Sequence, residues 1–510
     1  MTGSATLTWF ARHELTLAWR DWAQMMAGGR TKRERAVTVG ALIFVGLLHW
    51  LAYAILNPVL NDETLASKQT LVIVSASLLL TFSMMLSQAI EQVTRAFYAR
   101  ADLDLILSSP ASSQHLFAVR IAAISLSGAM MTSLLAAPFI NTATYLNGPG
   151  WLATYGVIAA MSMFATGLAV AGAIALFKSV GPKRARLIAQ IVAAVVGAAL
   201  LIGLQVAAIM LYGNLSRFEV LKSSTIIANA PEASSLFWLP AYAVLGNTSA
   251  VVVLALAGAA FMSVVIGHYC GQFGSHAIAA AGVSEHTDAK GAAERPFRSL
   301  TTMQALRAKE WTLLKRDPWL ASQTLMQILY LVPPALLLWR DMGAETHVHV
   351  ILAPVLVMAF GQLAGGLAWL AISGEDAPDL VATAPLPRRA VLRAKAEAVL
   401  MAIAAFAVPL VAGLAVVSLT GAVATAAGIV AACVSSISIQ LWFRVAATRS
   451  QFRRRQTASR TSTFAEAFSS IFWAGGAGFA AAGSLFAIPF IGLALLTLAI
   501  AWLISPRGHV

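Results

Sequence analysis

Twelve stretches of this chain run for about 20 residues with few or no charged side chains, the length an α-helix needs to cross the roughly 30 Å hydrocarbon core of a bilayer. They lie at about 36–56, 69–90, 119–140, 152–177, 187–213 and 248–268, and again at 320–339, 348–373, 396–419, 421–443, 464–483 and 485–505. The pattern predicts an all-α polytopic membrane protein with about 12 transmembrane helices. Composition agrees: 59% of the 510 residues are hydrophobic and 11% charged, against about a quarter charged in soluble domains. At roughly 20 residues per crossing, the loops that remain cannot hold a fused catalytic module of ordinary size.

The formal net charge is +13, which in a soluble protein would point to nucleic acid. Here it reports orientation. With the N-terminus inside, 31 of the 35 Lys and Arg residues fall on the cytoplasmic side, leaving Lys68, Arg217, Lys222 and Arg340 on the other. This asymmetry follows the positive-inside rule and predicts an even number of spans with both termini cytoplasmic. About 35 charge-rich residues precede the first apolar run, so span one reads as an uncleaved anchor rather than a signal peptide. The polar, aperiodic stretch from Ser275 to Arg298 reads as a flexible linker. Three parts are expected: a six-span half over 1–274, a linker over 275–300 and a second six-span half over 301–510. Cys270 and Cys433 sit in or beside apolar stretches and read as small hydrophobes.

The two halves repeat. His13-Glu14-Leu15-Thr16-Leu17-Ala18-Trp19-Arg20-Asp21 precedes span one, and Lys309-Glu310-Trp311-Thr312-Leu313-Leu314-Lys315-Arg316-Asp317 precedes span seven, with five of nine positions identical. Between spans two and three, Asp104-Leu105-Ile106-Leu107-Ser108-Ser109-Pro110 runs on to Arg120. Between spans eight and nine, Asp379-Leu380-Val381-Ala382-Thr383-Ala384-Pro385 runs on to Lys395. Both matches occupy the same place in each half, on the cytoplasmic side. An even number of spans per half makes the repeat parallel, about an axis along the membrane normal.

Leu7, Phe10, Leu15, Ala18, Trp22 and Met25 share one side of a helix over 7–26, with Arg12, Thr16, Arg20 and Gln24 turned away. This is a basic amphipathic helix suited to the headgroup layer; the alternative is a solvated helix packed on another cytoplasmic loop. The second repeated segment is polar, and its proline stops a helix from running through. It suits a short helix lying across the span ends, a lever on which a soluble motor can push.

In these two segments the chain resembles the permease subunits of type-2 ATP-binding-cassette (ABC) exporters. Those have six spans per half, an elbow helix before the first span and a coupling helix between spans two and three. The resemblance implies elbows at 7–26 and 303–319 and coupling segments at 101–116 and 375–391. It places ATPase coupling on Asp104, Leu107, Ser109, Pro110, Asp379, Thr383 and Pro385, and the interfacial elbows on Glu14, Arg20, Asp21, Glu310, Arg316 and Asp317. The family's hairpin between spans five and six has material in Pro231 to Gly246, while the second half offers only Gly483-Ser484. The phosphate-cradling loop of an ATPase ends in Gly-Lys-Ser/Thr, and no Gly-Lys dipeptide occurs here. The resemblance therefore implies a transport subunit in a bacterial inner membrane with no cofactor of its own. ATP and Mg would sit on a separate cytoplasmic ABC ATPase, in two copies, one per coupling segment.

The alternative is a secondary transporter of two parallel six-helix repeats. It would need ion-coupling carboxylates near the midplane; Glu397 and Glu466 come nearest, and both read as lying at span ends. A membrane enzyme would need a cluster of polar catalytic residues, and the sequence presents none. His347, His349 and Glu345 read as surface polarity rather than a metal site, and Glu375, Asp376 and Asp379 as coupling-loop surface. His49, the one titratable group deep in a span, reads as satisfied by a neighbouring helix. Gln205, Gln327, Gln362 and Gln440 are interhelical hydrogen-bonding candidates, and the Gly475, Gly476, Gly478 run reads as close helix packing. Arg453 to Arg455, flanked by Arg449 and Arg460, reads as anionic-lipid contact. Without interleaved aromatic platforms it does not read as a nucleic-acid site.

Overall fold

Inside a bilayer a backbone amide has no water to bond, so an apolar run satisfies its own polar groups by coiling into a helix. A computed structural model of the chain describes residues 12–13, 16, 34–60, 67–98, 113–213, 220–272, 300–316, 318–340, 348–373, 378–443 and 460–505. Helices cover every predicted span, and no strand occurs among the described residues. The first half holds α1 (Glu34–Leu60), α2 (Lys68–Tyr98), α3 (Ser113–Asn147), α4 (Ala153–Tyr212), the short α5 (Ser224–Asn229) and α6 (Leu239–Val244), and α7 (Thr248–Tyr269). The second holds α8 (Thr302–Arg316), α9 (Pro318–Arg340), α10 (Val348–Ser373), the short α11 (Pro378–Thr383), α12 (Arg388–Val417), α13 (Leu419–Phe443), α14 (Arg460–Ala481) and α15 (Ala487–Ile504).

Among the described residues, nine helical stretches are long and apolar enough to cross a membrane: all or part of α2, α3, α7, α10, α12, α13 and α15, and the two parts of α4. The chain is thus a polytopic all-α membrane protein. The remaining predicted spans fall on α1, α9 and α14. Contacts divide the chain into two compact units, one over residues 1–212 and 216–288, the other over 213–215 and 289–510.

Helix α4 covers predicted spans four and five without the loop expected between them. It breaks at a single residue, Gly181, whose φ of 74° and ψ of 164° lie in a region open essentially to glycine alone. Gly181→Ala is expected to destabilise the chain by about 1–3 kcal/mol, measured as a lowered unfolding midpoint of purified protein. An unchanged midpoint would show that the backbone there relaxes freely.

The first unit buries Phe117, Ile121, Ile158, Val170 and Ile174 where α2, α3 and α4 meet. Helices approach through small residues: a Cβ on Gly258 would stand 3.1 Å from the Ala160 carbonyl oxygen. Between α5 and α7, Pro231 to Gly246 folds into a 3₁₀ turn (Leu236–Trp238) and α6. Trp238 is buried there with Leu71 and Val72, its indole N–H donating to the Glu232 carbonyl at 3.0 Å. Tyr242 donates its hydroxyl to the Ala233 carbonyl at 2.6 Å. The second unit has a plain turn at the corresponding place, closed by Gly483 at φ 68°, so the asymmetry read from the sequence is present in the backbone.

The second unit is built on α10, α13 and α14, which pack through glycines. Gly428 faces Val357 and Ala477, Gly475 faces Phe490, and Gly478 faces Pro354. Close approach through residues without side chains is how helices associate where lipid gives no hydrophobic driving force.

Candidate functional site

Helix α8, the expected second elbow, opens on a reciprocal capping box. Thr301 N–H donates to Gln304 Oε1 at 3.1 Å, and Gln304 N–H donates to Thr301 Oγ1 at 3.4 Å. Two orphan amides are thereby satisfied and the helix start is fixed. One face then carries Leu306 and Glu310, four residues apart and both buried. Lys395 Nζ of α12 donates to Oε2 of Glu310, 1% exposed, at 3.2 Å and stands 3.0 Å from Oε1 as an ion pair. The same ammonium donates to the Ala371 carbonyl near the end of α10, at 2.5 Å. Lys395 thus ties three helices together from a position 8% exposed. Lys309 Nζ adds a second cation 3.6 Å from Glu310.

A more open pair of bonds runs beside it. Arg307 Nε of α8 and Arg393 Nε of α12 donate to the two oxygens of Glu397, at 2.7 and 2.8 Å. Hydrogen bonding to Glu397 holds the Arg307 guanidinium above its ordinary value. Charges that the sequence left apart, on α8 and on α12, come together in one cluster.

The segment expected to couple in the second half leads directly into this cluster. Pro378 starts α11, Thr383 Oγ1 donates to the Leu380 carbonyl at 3.3 Å, and Pro385 and Pro387 carry the chain into α12. Leu380 is 72% exposed, and Thr383 and Pro385 are exposed as well. From Pro387 to Lys395 is eight residues, about 12 Å of helix at 1.5 Å per residue. Asp379 and Arg316 lie on α11 and α8. Asp104, Leu107, Ser109, Pro110, Glu14, Arg20, Asp21 and Asp317 lie outside the described residues. Arg120, which takes the place of Lys395 in the first half, is also buried, at 2% exposure.

A second polar site adds to the sequence reading. Glu466, expected at a span end, lies in the first two turns of α14 and is 5% exposed, at the junction with α10 and α13. Gln440 Nε2 donates to Glu466 Oε2 at 2.6 Å, giving Gln440 the interhelical role expected of it. The carboxylate rests against the backbone of Gly365, where any side chain would overlap it. Ser436, Ser469 and Ser470 are fully buried nearby on α13 and α14, and Trp473 Nε1 donates to Ser435 Oγ at 2.9 Å. The legible signal was Glu466, Ser469, Ser470 and Trp473 at i, i+3, i+4 and i+7, a polar stripe on one helix face.

His49 finds its partner on a neighbouring helix, Asn141 of α3. Compared with models of protein families, with curated proteins and with solved structures, the chain finds no match.

Proposed function

We propose that this chain is the membrane-spanning subunit of an ABC exporter. In this reading it crosses a bacterial inner membrane twelve times as two parallel six-helix repeats, with both termini cytoplasmic. It forms the translocation pathway and takes its energy from separate ATPase subunits that press on 101–116 and 375–391. The observation that carries the reading is the buried Glu310–Lys395 pair. A push on the exposed end of α11 enters α12 and passes through Lys395 to the elbow and to α10, because a desolvated ion pair yields less readily than apolar side chains sliding past one another.

The test is to purify the chain with the ABC ATPase encoded beside it. The expected outcome is a stable complex whose ATP hydrolysis rises over that of the ATPase alone, and falls back when Pro110 and Pro385 are both replaced by alanine. A chain that never retains an ATPase would overturn the reading.

The buried Glu466 favours a second reading, a secondary transporter, since a carboxyl inside a helical bundle is a candidate for ion coupling. The two separate cleanly in vesicles: ATP supplied to the ATPase side drives the first, and an imposed proton or sodium gradient drives the second.

A further inference from the structure

Three helices of the first unit share a polar chain in an otherwise apolar setting. His49 of α1 has Nδ1 2.8 Å from the Val45 carbonyl one turn back, and Nε2 3.4 Å from Asn141 Nδ2 of α3. Tyr155 of α4 donates its hydroxyl to Asn141 Oδ1 at 3.0 Å. The directions are forced. A carbonyl only accepts, so Nδ1 carries the hydrogen and neutral His49 has its lone pair on Nε2. That lone pair accepts from the Asn141 amide N–H, which leaves Oδ1 to take the tyrosine hydroxyl. Every bond points one way, from Tyr155 through Asn141 and His49 to Val45.

We infer that His49 is a proton-binding site, and that Asn141 relays its charge state to Tyr155. Adding a proton to Nε2 sets two N–H groups against each other. The amide then turns over, so that Oδ1 accepts from the imidazolium, and the charge-assisted bond is the stronger of the two. Asn141 Nδ2 then faces the Tyr155 oxygen, and the hydroxyl swings its hydrogen away. The proton comes from bulk water outside the membrane and stays on the imidazole; Tyr155 keeps its own. One binding event on α1 thus reverses the hydrogen bonding of α3 and α4, with no residue needing to travel.

The neighbouring groups leave His49 in control. On α1, Tyr53 follows one turn on; on α3, Tyr145 follows Asn141 by one turn and is 82% exposed. His115 and Arg120 of α3 lie about 30 Å or more along the axis from Asn141, and Lys178 of α4 about as far from Tyr155, at 1.5 Å per residue. Val45, Trp50 and Leu51 are exposed near His49 in the sequence of α1, as are Leu135 and Phe139 near Asn141 in that of α3. An intramembrane ionisable residue in such surroundings is a functional candidate by default. The inference does not depend on the transport reading, because it concerns one unit and one proton.

Solid-state NMR on the full chain in lipid nanodiscs tests it, with ¹⁵N in the histidine rings and asparagine side chains and His49→Gln and Asn141→Leu used for assignment. The neutral His49 ring is expected to carry its hydrogen on Nδ1. The Asn141 amide signal is expected to shift with pH at the same midpoint as His49, and labelled Tyr155 to follow it; in Asn141→Leu, the Tyr155 response is lost while His49 still titrates. A neutral ring protonated on Nε2, or an Asn141 signal that stays flat while His49 titrates, would overturn the relay. Where a variant fails to fold, sequential backbone-to-side-chain correlations in the wild-type chain assign the same His49 and Asn141 signals, so both observations remain available.

Discussion

Lys395→Met is expected to destabilise the chain by about 3–5 kcal/mol, the cost of leaving one member of a buried ion pair without the other. The measurement is the unfolding midpoint of purified protein in detergent. Three things are lost at once. Glu310, 1% exposed, loses its hydrogen bond at Oε2 and its ion-pair contact at Oε1, and keeps only Lys309 at 3.6 Å among the described residues. The Ala371 carbonyl loses a donor, and α8 keeps only the Arg307–Glu397 bond as a side-chain hydrogen bond to α12 among the described residues. The double variant Glu310→Leu with Lys395→Met removes both charges, and replacing a buried pair by apolar side chains is often neutral or stabilising. Its midpoint should return to within about 1 kcal/mol of the parent or exceed it. If the single and double variants are equally unstable, the lysine matters for its packing and the ion pair is incidental.

The double variant also separates stability from transmission. Should it fold well yet no longer stimulate the ATPase, the pair is the load path between the coupling segment and the elbow. Full stimulation in the folded double variant would mean that force reaches the bundle another way, and the observation carrying the proposed function would be lost.

Gly365→Ala is the second large effect expected. The added methyl would occupy the seat of the Glu466 carboxylate. Forcing a side chain off its position in a packed interior costs about 1–3 kcal/mol. Moving the carboxylate also breaks its 2.6 Å bond from Gln440, and a buried donor left without a partner adds about 1–3 kcal/mol. Glu466→Ala in the Gly365→Ala background should recover part of the loss, because the methyl then fits the space the carboxylate vacates. Equal midpoints for Gly365→Ala and the parent would mean that Glu466 has another rotamer available at no cost.

Much of the architecture was legible because it depends on one dimension. A run of about 20 apolar residues matches the bilayer core whatever its neighbours do, so helices fall on every predicted stretch. The capping box at Thr301 and Gln304 and the glycine packing of α14 are likewise local and were open to reading. Gly181 was harder: the charges around it, Lys178, Lys183, Arg184 and Arg186, suggested a loop, whereas a single glycine in a glycine-only conformation divides α4.

The site was legible by halves. Glu310 and Lys395 each stood out because each recurs in the repeat, as Glu14 and Arg120, but nothing in their spacing said that one would meet the other. Glu466 was legible in its position near the start of α14 but not in its burial. A carboxylate near the start of an apolar run reads as a span end, since burying a charge is costly. Its place inside a bundle depends on a glutamine and a glycine contributed by two other helices, in Gln440 and Gly365.

The sequence alone determined that this is an all-helical membrane protein and where its apolar stretches lie, because each follows from transferring a local stretch of chain between water and lipid. Tertiary structure alone decided that Lys395 joins α8 to α12 and α10, that Glu466 is buried, and that His49, Asn141 and Tyr155 form one hydrogen-bonded chain. Those outcomes are set by which helix faces meet and at what register. A hydrophobic run carries no such information, since lipid and a neighbouring helix are equally apolar surroundings for it.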